Sequence, residues 1–312
     1  MKKKLISIVT QTYNEEDNVR DMYNYIKLII GDLNKYNYEH IFIDNSSTDN
    51  TINILREIAN KDKNVKVIIN SRNFGHINSP HFAILESKGD AVINLACDFQ
   101  EPPKLIPTFL EEWEKGFKIV VGVKERIKKK FSFNFNIRDR YYDFVNKISN
   151  VSLIKNYSGF GLYDKEIIKI LRKINDPNPY FRGLISEIGF DIKKIYYKHK
   201  PRDKGKTKNN LYTLYDLAML GIINHSKIPL RITTLIGFVF SIINILIGSI
   251  YLIYKLIFWN SFDLGIAPLV IGMFLSFSII LFFLGIIGEY IGAMYTQILN
   301  RPLVIVKERI NF

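Results

Sequence analysis

Cysteine is all but missing from this chain, with Cys97 the single thiol in 312 residues. No internal disulfide can form, so nothing in the composition points to an oxidising compartment. Acidic residues are the scarcer charged class, 30 Asp and Glu against 43 Lys and Arg, which leaves a formal net charge of +13. That sign suits nucleic acid, anionic lipid or phosphorylated ligands. Metal-ligand clusters of His and Cys are lacking. His76 and His81 have no Cys or acidic pair at ligand spacing, and packing or hydrogen bonding is expected of them instead. Nor does the N-terminal segment carry the apolar core of a cleavable signal. Met1-Lys2-Lys3-Lys4 is basic, but the apolar run at 5–10 is short and soon meets Asn14-Glu15-Glu16-Asp17, so no signal peptide is expected. No internal repeat or low-complexity tract is visible.

Long apolar runs, by contrast, are present near the C-terminus. Residues 232–258 and 266–291 each exceed the ~20 residues with which a helix crosses the hydrocarbon core. Buried core helices of a soluble protein are the other reading; the length of the runs and the near absence of charge inside them favour two membrane spans. Lys255 and Glu289 lie near the span ends, where a Lys can snorkel and a Glu can pair. Arg231 precedes the first run, Arg301, Lys307 and Arg309 follow the second, and the connection 259–265 holds Asp263 but no Lys or Arg. Positive charge stays on the cytoplasmic side. The expectation is a multi-pass protein of the bacterial cytoplasmic membrane, with both termini and the large N-terminal part cytoplasmic. Lipid headgroups and phosphorylated ligands, not nucleic acid, are then the partners of the basic charge.

The N-terminal part alternates strand and helix signals. Strands are expected at 5–10, 39–44, 65–70, 91–96 and 117–123, and helices at 17–33, from Asp49 to 59, and at 76–87. Pro102-Pro103 opens a further helix, a position where proline's fixed φ is tolerated. Near-continuous apolar strands separated by helices argue for an α/β fold with a mostly parallel sheet covered on both faces. Beyond Lys124 the pattern loosens and becomes basic and aromatic, with a helix expected at 136–149 and strands at 159–163 and 188–197. Residues 211–223 form an apolar, aromatic helix that either lies at the membrane interface or packs as a core helix.

In such sheets ligands bind at the carboxyl ends of the strands. Those ends carry Tyr13-Asn14-Glu15, Asp44, Ser71-Arg72-Asn73 and Asp98. Asp44 ends an apolar strand directly, where its carboxylate can accept from a base or a ribose hydroxyl, whereas Asp49 reads as a helix cap. Asp98, followed by Gln100 and Glu101, suits Mg²⁺ or Mn²⁺ bound through one or two protein oxygens plus substrate phosphates. Such a metal bridging a diphosphate offsets charge on a leaving group.

These residues also carry a resemblance. Ser7-Ile8-Val9-Thr10-Gln11-Thr12-Tyr13-Asn14-Glu15-Glu16 resembles the opening strand of family-2 glycosyltransferases of the GT-A fold, and the acidic turn at 44–51 resembles their nucleotide-binding turn. Ser71-Arg72-Asn73-Phe74-Gly75-His76 and Asp98-Phe99-Gln100-Glu101-Pro102-Pro103 are similar to the polyprenyl-phosphate hexosyltransferases, namely bactoprenol glucosyltransferases and dolichol-phosphate mannose synthases. The likeness continues through Arg182-Gly183-Leu184, 202–208, 226–230, Ile287-Gly288-Glu289-Tyr290-Ile291-Gly292 and Arg301-Pro302-Leu303, so it covers nearly the whole chain.

The resemblance implies a Rossmann-like GT-A nucleotide-sugar core at 1–123, an acceptor-side part at 124–210, an interfacial helix at 211–230 and a two-helix anchor with a short tail at 231–312. It implies a UDP-sugar donor, an undecaprenyl phosphate acceptor, a bilayer and a homo-oligomer, a tetramer in relatives. On the donor side it implies Tyr13, Asn14, Glu15, Asp44, Ser71, Arg72, Asn73, Arg202 and Lys206. On the catalytic side it implies Asp98, Gln100, Arg126, Arg138, Arg140 and Arg182, with Asp98 as the metal ligand. Four positions depart from the family pattern. Ala96 stands for the first Asp of Asp-x-Asp and Asn45 for the second Asp of the acidic turn. Lys124 stands for an acceptor-binding Arg, and the turn at 156–162 lacks its Asp. Glu101 stands where many relatives carry Asp and could offset the lost charge.

Without the family, the acceptor side has its own logic. An ionised lipid phosphate attacks an anomeric carbon without a general base, so the site needs cations, and Arg presents a planar fork for phosphate. Lys128-Lys129-Lys130 reads as a solvated or headgroup-facing loop, and 202–208 either as a loop closing over the donor or as a basic surface loop. The expected activity is inverting transfer of one hexose, glucose from UDP-glucose, to undecaprenyl phosphate, for cell-surface glycan modification. Two other readings stand beside it. In one, a sugar is added directly to a lipid-linked oligosaccharide, with Glu187 or Asp191 as base. In the other, the chain is a non-catalytic membrane scaffold, for which Ala96 and Asn45 speak.

Overall fold

The structure, a computed structural model, describes residues 3–125, 153–174, 176–198, 219, 223, 226, 228–258 and 266–312. Eight strands form one sheet in the order β7-β5-β6-β4-β1-β2-β3-β8. They are β1 (Lys4–Thr12), β2 (Tyr36–Asp44), β3 (Val65–Asn70), β4 (Ala91–Ala96), β5 (Ile119–Lys124), β6 (Tyr157–Asp164), β7 (Ile192–Tyr197) and β8 (Val306–Ile310). The helices are α1 (Val19–Asp32), α2 (Thr51–Lys61), α3 (Gly75–Glu86), α4 (Ile106–Glu114), α5 (Lys165–Lys173), α6 (Phe181–Glu187), α7 (Ile228–Ile257) and α8 (Ile266–Leu299).

The period-2 alternation of a strand divides the core in two. Ile6 and Ile8 of β1 join Phe42 and Ile93 beneath α1, α2 and α4, while Val9 joins Ile41, Ile43, Ile68 and Val92 beneath α3, α5 and α6. Helix α1 shows how the outer layer is built: Val19, Met22, Ile26 and Ile30 recur at three- and four-residue spacing and are all buried, a stripe that can only face the sheet.

The elements expected in the first hundred residues are present within a few residues of their expected bounds, but the sheet is less parallel than expected. β4-β1-β2-β3 is a parallel set. Strand β6 then inserts antiparallel between β4 and β5, and β8 runs antiparallel to β3. The apolar pattern reports burial on both faces and carries no information on strand direction, which is why the mixture was not legible. Helices α5 and α6 were not foreseen. The first begins at a cap, where Asp164 Oδ1 accepts from the Glu166 N–H at 2.9 Å. The expected helices at 136–149 and 211–223 lie outside the described residues, apart from two helical positions, 219 and 223, in the second.

Two apolar helices follow, as the C-terminal runs led one to expect. Among the described residues one stretch, Ser276–Leu299 of α8, is long and apolar enough to cross a membrane, with mean hydropathy 2.0; the apolar part described in α7, Ile228–Phe240, is shorter. The two-span expectation is thus met by one span. Both helices leave large apolar side chains outside any core, Leu235 being 64% and Leu281 67% exposed.

Strand β8 was not expected. It brings the chain back from α8 onto the edge of the N-terminal sheet, pairing Val67 with Ile310 and Ile69 with Glu308. The Ser71 N–H donates to the Ile305 carbonyl at 2.9 Å, and Asn311 Nδ2 donates to the Ala59 and Val65 carbonyls at 2.7 and 2.8 Å. Arg56 pairs with Glu308 at 2.5 Å and Arg309 with Glu86. An uncovered parallel edge such as β3 would template aggregation. Deleting residues 306–312 should lower the melting temperature by several degrees and produce concentration-dependent association, read by thermal unfolding and light scattering in detergent; a monodisperse variant of unchanged stability would show that β8 covers nothing that matters.

His40 is buried in the core, its Nε2 2.9 Å from Thr10 Oγ1 and its ring 3.9 Å from that of Phe42. Burial, weakly opposed by the Asp62 charge, pushes its pKa down from 6.5 to about 3, and burial likewise lowers that of His81 to about 4. Between those values and 6.5 the unfolded chain binds protons that the folded chain does not, so stability falls as pH drops through that window. The slope should reach about 1.4 kcal/mol per pH unit for each histidine. Unfolding followed from pH 7 to 5 should be visibly less pH-dependent in His40→Gln; an equally steep loss in that variant would count against the assignment.

Candidate functional site

The sheet order sets the ends of β4, β1, β2 and β3 side by side. In register, Thr12 lies beside Asp44 and Gln11 beside Ala96, so the Asp44 and Ala96 positions flank β1, about 10 Å apart as two strand spacings require. The loops leaving these ends carry an unusual backbone. Asn14 after β1, Ser46 after β2 and Phe99 after β4 have φ of 55°, 65° and 56°, a left-handed conformation that a bulky residue such as Phe adopts only under constraint.

Hydrogen bonds supply that constraint. The Asn14 N–H donates to Ser47 Oγ and the Thr48 N–H to Asn14 Oδ1, at 2.9 and 2.8 Å. The Glu15 N–H donates to Thr51 Oγ1 at 2.9 Å, and Glu15 Oε2 accepts from Asn18 Nδ2 at 2.6 Å. Asp49 Oδ1 accepts from the Thr51 N–H at 3.0 Å, but the N-cap position of α2 is Asn50, one residue beyond the cap expected from the sequence. Asp44 is fully buried and accepts from the Ser47 N–H, Ser47 Oγ and Thr12 Oγ1 at 2.8, 2.5 and 3.1 Å. Burial, partly offset by those bonds, raises its pKa. Its carboxylate therefore holds the turn together.

Asn45 explains its own departure from the family pattern. Its Nδ2 donates to Asn73 Oδ1 at 2.8 Å and to the Gly75 carbonyl at 3.1 Å, while its Oδ1 accepts from the Phe74 N–H at 2.9 Å and Asn70 Nδ2 at 3.2 Å. Asn73 Oδ1 also accepts from the Gly75 N–H at 2.8 Å, which fixes the entry to α3. A carboxylate at 45 could not donate. Beside this clamp, the Arg72 guanidinium lies 4.0 Å from the Phe74 ring centre and remains exposed, and Ser71 is the residue tied to the C-terminal tail.

The turn after β4 is built on two carboxylates. Asp98 Oδ1 accepts from the Gln100 N–H at 3.2 Å. Glu101 is buried, its Oε2 accepting from the Ala96 N–H at 2.8 Å and its Oε1 from Ser158 Oγ at 2.6 Å. Burial raises its pKa, against the opposing pull of those bonds and of Lys124. Glu101 thus braces the turn against β6. Among the described residues no group of three or more His, Cys, Asp or Glu could hold a metal ion. What the turn offers a cation is the Asp98 carboxylate, which fits Mg²⁺ or Mn²⁺ held largely by substrate phosphates and water.

Next to this turn, on the α3 and α6 side of the sheet, opens a cavity lined by Gln11, His76, His81, Asn94, Phe181 and Arg182 among others. Arg182 Nη1 donates to the Tyr157 carbonyl at 3.3 Å, and its charge adds to burial in lowering the His76 pKa. Of the sequence-derived residues the structure therefore unites Tyr13, Asn14, Glu15, Asp44, Ser71, Arg72 and Asn73 at one rim and Asp98, Gln100 and Arg182 across β1 and β4. Arg126, Arg138, Arg140, Arg202 and Lys206 lie outside the described residues, as does the Lys128-Lys129-Lys130 loop. Glu187 and Asp191 are exposed, and neither lines the cavity. Sequence reasoning missed Gln11 and Asn94, and of His81 it expected only packing or hydrogen bonding. The signal that could have found Asn94 is a lone amide inside the apolar strand Ala91–Ala96.

Replacing Asn45 by Asp, the family's usual residue, should cost about 1 kcal/mol, because Asn73 Oδ1 and the Gly75 carbonyl lose their donor. Equilibrium unfolding checks this, and a variant as stable as the parent would refute the clamp.

The family described as "Glycosyl transferase family 2" matches residues 7–172. The uncharacterized glycosyltransferase YkcC of Bacillus subtilis (strain 168) is 33% identical over 97% of this chain and 93% of its own length. The SfII prophage-derived bactoprenol glucosyl transferase of Shigella flexneri is 30% identical over 97% of each. A crystal structure of glucosyl-3-phosphoglycerate synthase from Mycobacterium tuberculosis is 16% identical with a TM-score of 0.49, covering 70% of this chain and 78% of that one. With more than half of its length matched by the family and nearly all of it by these relatives, the chain belongs to glycosyl transferase family 2 and is a glycosyltransferase.

Proposed function

We propose that this enzyme transfers one hexose, glucose from UDP-glucose, with inversion to undecaprenyl phosphate at the cytoplasmic membrane face. The single observation that carries the reading is the junction of the Asp98–Glu101 turn with β6 and the Arg182 region, with a carboxylate suited to a metal diphosphate beside a cavity that Arg182 helps to line. The nucleoside would lie on the turns built by Asn14, Asp44 and Asn73, and the diphosphate near Asp98 and Gln100. Mg²⁺ or Mn²⁺ on Asp98 would offset charge on the departing UDP. The lipid phosphate is already ionised near neutral pH, so its oxygen displaces UDP in line, and Arg182, with Arg126, Arg138 and Arg140 from the basic segment, would neutralise it. Arg202 and Lys206 would close over the donor. The name of the Shigella relative, with its bactoprenol acceptor, supports a polyprenyl phosphate here.

Membrane attachment is supported by the exposed apolar helices. Tyr290 of α8 donates to the Ser226 carbonyl ahead of α7 at 2.7 Å, Gln297 donates to Asp176 at 2.8 Å, and β8 pairs with β3. Both ends of the helical pair are thereby tied to the catalytic domain, which favours an even number of crossings and hence two spans. A tetramer is carried by the resemblance alone.

Radiolabelled UDP-glucose incubated with undecaprenyl phosphate and Mn²⁺ should place label in the lipid extract. Asp98→Ala should reduce that transfer by at least a hundredfold while leaving folding and membrane association intact. Label only in oligosaccharide, or near-normal transfer by Asp98→Ala, would overturn the reading.

A further inference from the structure

We propose that the cavity between α3, α6 and the ends of β1 and β4 reads the hydroxyl pattern of the transferred sugar, with His81, Asn94 and Gln11 as specificity-determining residues. The inference rests on the nucleotide-sugar reading above and adds the residues that would choose among sugars.

Three polar atoms around this cavity have no hydrogen-bond partner: His81 Nδ1, Asn94 Oδ1 and Gln11 Oε1. His81 and Asn94 are only 2% and 8% exposed. Buried polar atoms are almost always paired, since each unpaired one costs the free energy of its lost hydration. Three such atoms around one opening mark a place that a ligand completes.

The chemistry of the lining selects the ligand class. Asn94 Nδ2 donates to the Gly159 carbonyl at 3.0 Å, which fixes the amide and leaves its oxygen as an acceptor. Gln11 also offers an oxygen. Burial keeps the His81 imidazole neutral near pH 7, so its unpaired nitrogen carries no charge into the cavity. Helix α3 contains Pro80, which has no N–H for the His76 carbonyl one turn earlier and so leaves one more acceptor near the mouth. Acceptors outnumber the one charged side chain of the lining, Arg182, and call for several hydroxyl donors. Apolar walls from Ile77, Pro80 and Phe181 match the C–H faces of a pyranose.

Position decides which part of the donor enters. Ser158 lines the cavity and donates to Glu101 of the Asp98–Glu101 turn. A diphosphate at that turn carries its sugar one bond further on, towards the cavity. The nucleoside turns around Asp44 and Asn73 lie at the rim on the other side of β1. Gly159, at φ 106° and within 3.6 Å of Asn94 and Phe181 at its Cβ position, keeps the floor open.

The test is calorimetric titration of the full chain in detergent with UDP, UDP-glucose, UDP-galactose and UDP-N-acetylglucosamine in the presence of Mn²⁺, with thermal unfolding as the folding control. The parent should prefer one sugar over the others by tenfold or more. His81→Leu and Asn94→Leu should each shrink that preference about fivefold, as the loss of one hydrogen bond predicts, and should leave the Kd for UDP unchanged. His81→Asn, which returns an acceptor near Nδ1, should recover most of the preference. Equal affinity of the parent for all three sugars, or folded variants with undiminished preference, would overturn the role of the cavity and leave the transferase reading standing. Absence of any UDP or UDP-sugar binding by the parent would instead overturn that reading and the inference with it.

Discussion

Four parallel strands buried on both faces must end, and where they end the backbone and the side chains that follow have to satisfy one another's hydrogen bonds away from bulk water. Much of what is distinctive in this protein follows from that requirement at the ends of β1, β2, β3 and β4. Asp44 ties β1 to the turn after β2, Asn45 ties that turn to the start of α3, and Glu101 ties the end of β4 to β6. The left-handed residues Asn14, Ser46 and Phe99 sit in these same turns. Their strain is held by the bonds around them, and a rigid rim results on which a nucleotide sugar can be oriented.

The same logic gives the departures from the family pattern a physical content. Loss of an acid at 45 looks like weakened metal or nucleotide binding when the turn is considered alone. In the fold, the amide donates to two acceptors that a carboxylate would repel. Glu101 looks like a replacement for the carboxylate missing at 96, yet its oxygens accept from Ala96 and Ser158. The scaffold reading loses its best support at Asn45, since that residue is kept for architecture. The cation-binding capacity of the turn rests on Asp98.

The C-terminal strand joins the apolar helices to the N-terminal sheet. Because β8 completes the sheet at β3 and the segment before it bonds Ser71, the chain that leaves α8 is tied to the loop that carries Arg72 and Asn73. The catalytic domain is in this way held at two points beside the apolar helices, through Asp176 and through β8.

Local pattern by itself determined the strands and helices of the first hundred residues, the apolar helices, and the row of Tyr13, Asn14, Glu15, Asp44, Asn73 and Asp98. These depend on periodicities and on residues at strand ends, which are near neighbours along the chain. Only the tertiary structure decided that β6 and β8 run antiparallel, that one described stretch meets the length of a span, and that Glu101 braces β6. It alone gathered Gln11, His81 and Asn94 around one cavity. Those features join residues far apart in sequence, and a lone polar side chain in an apolar strand has no meaning until the fold shows what faces it.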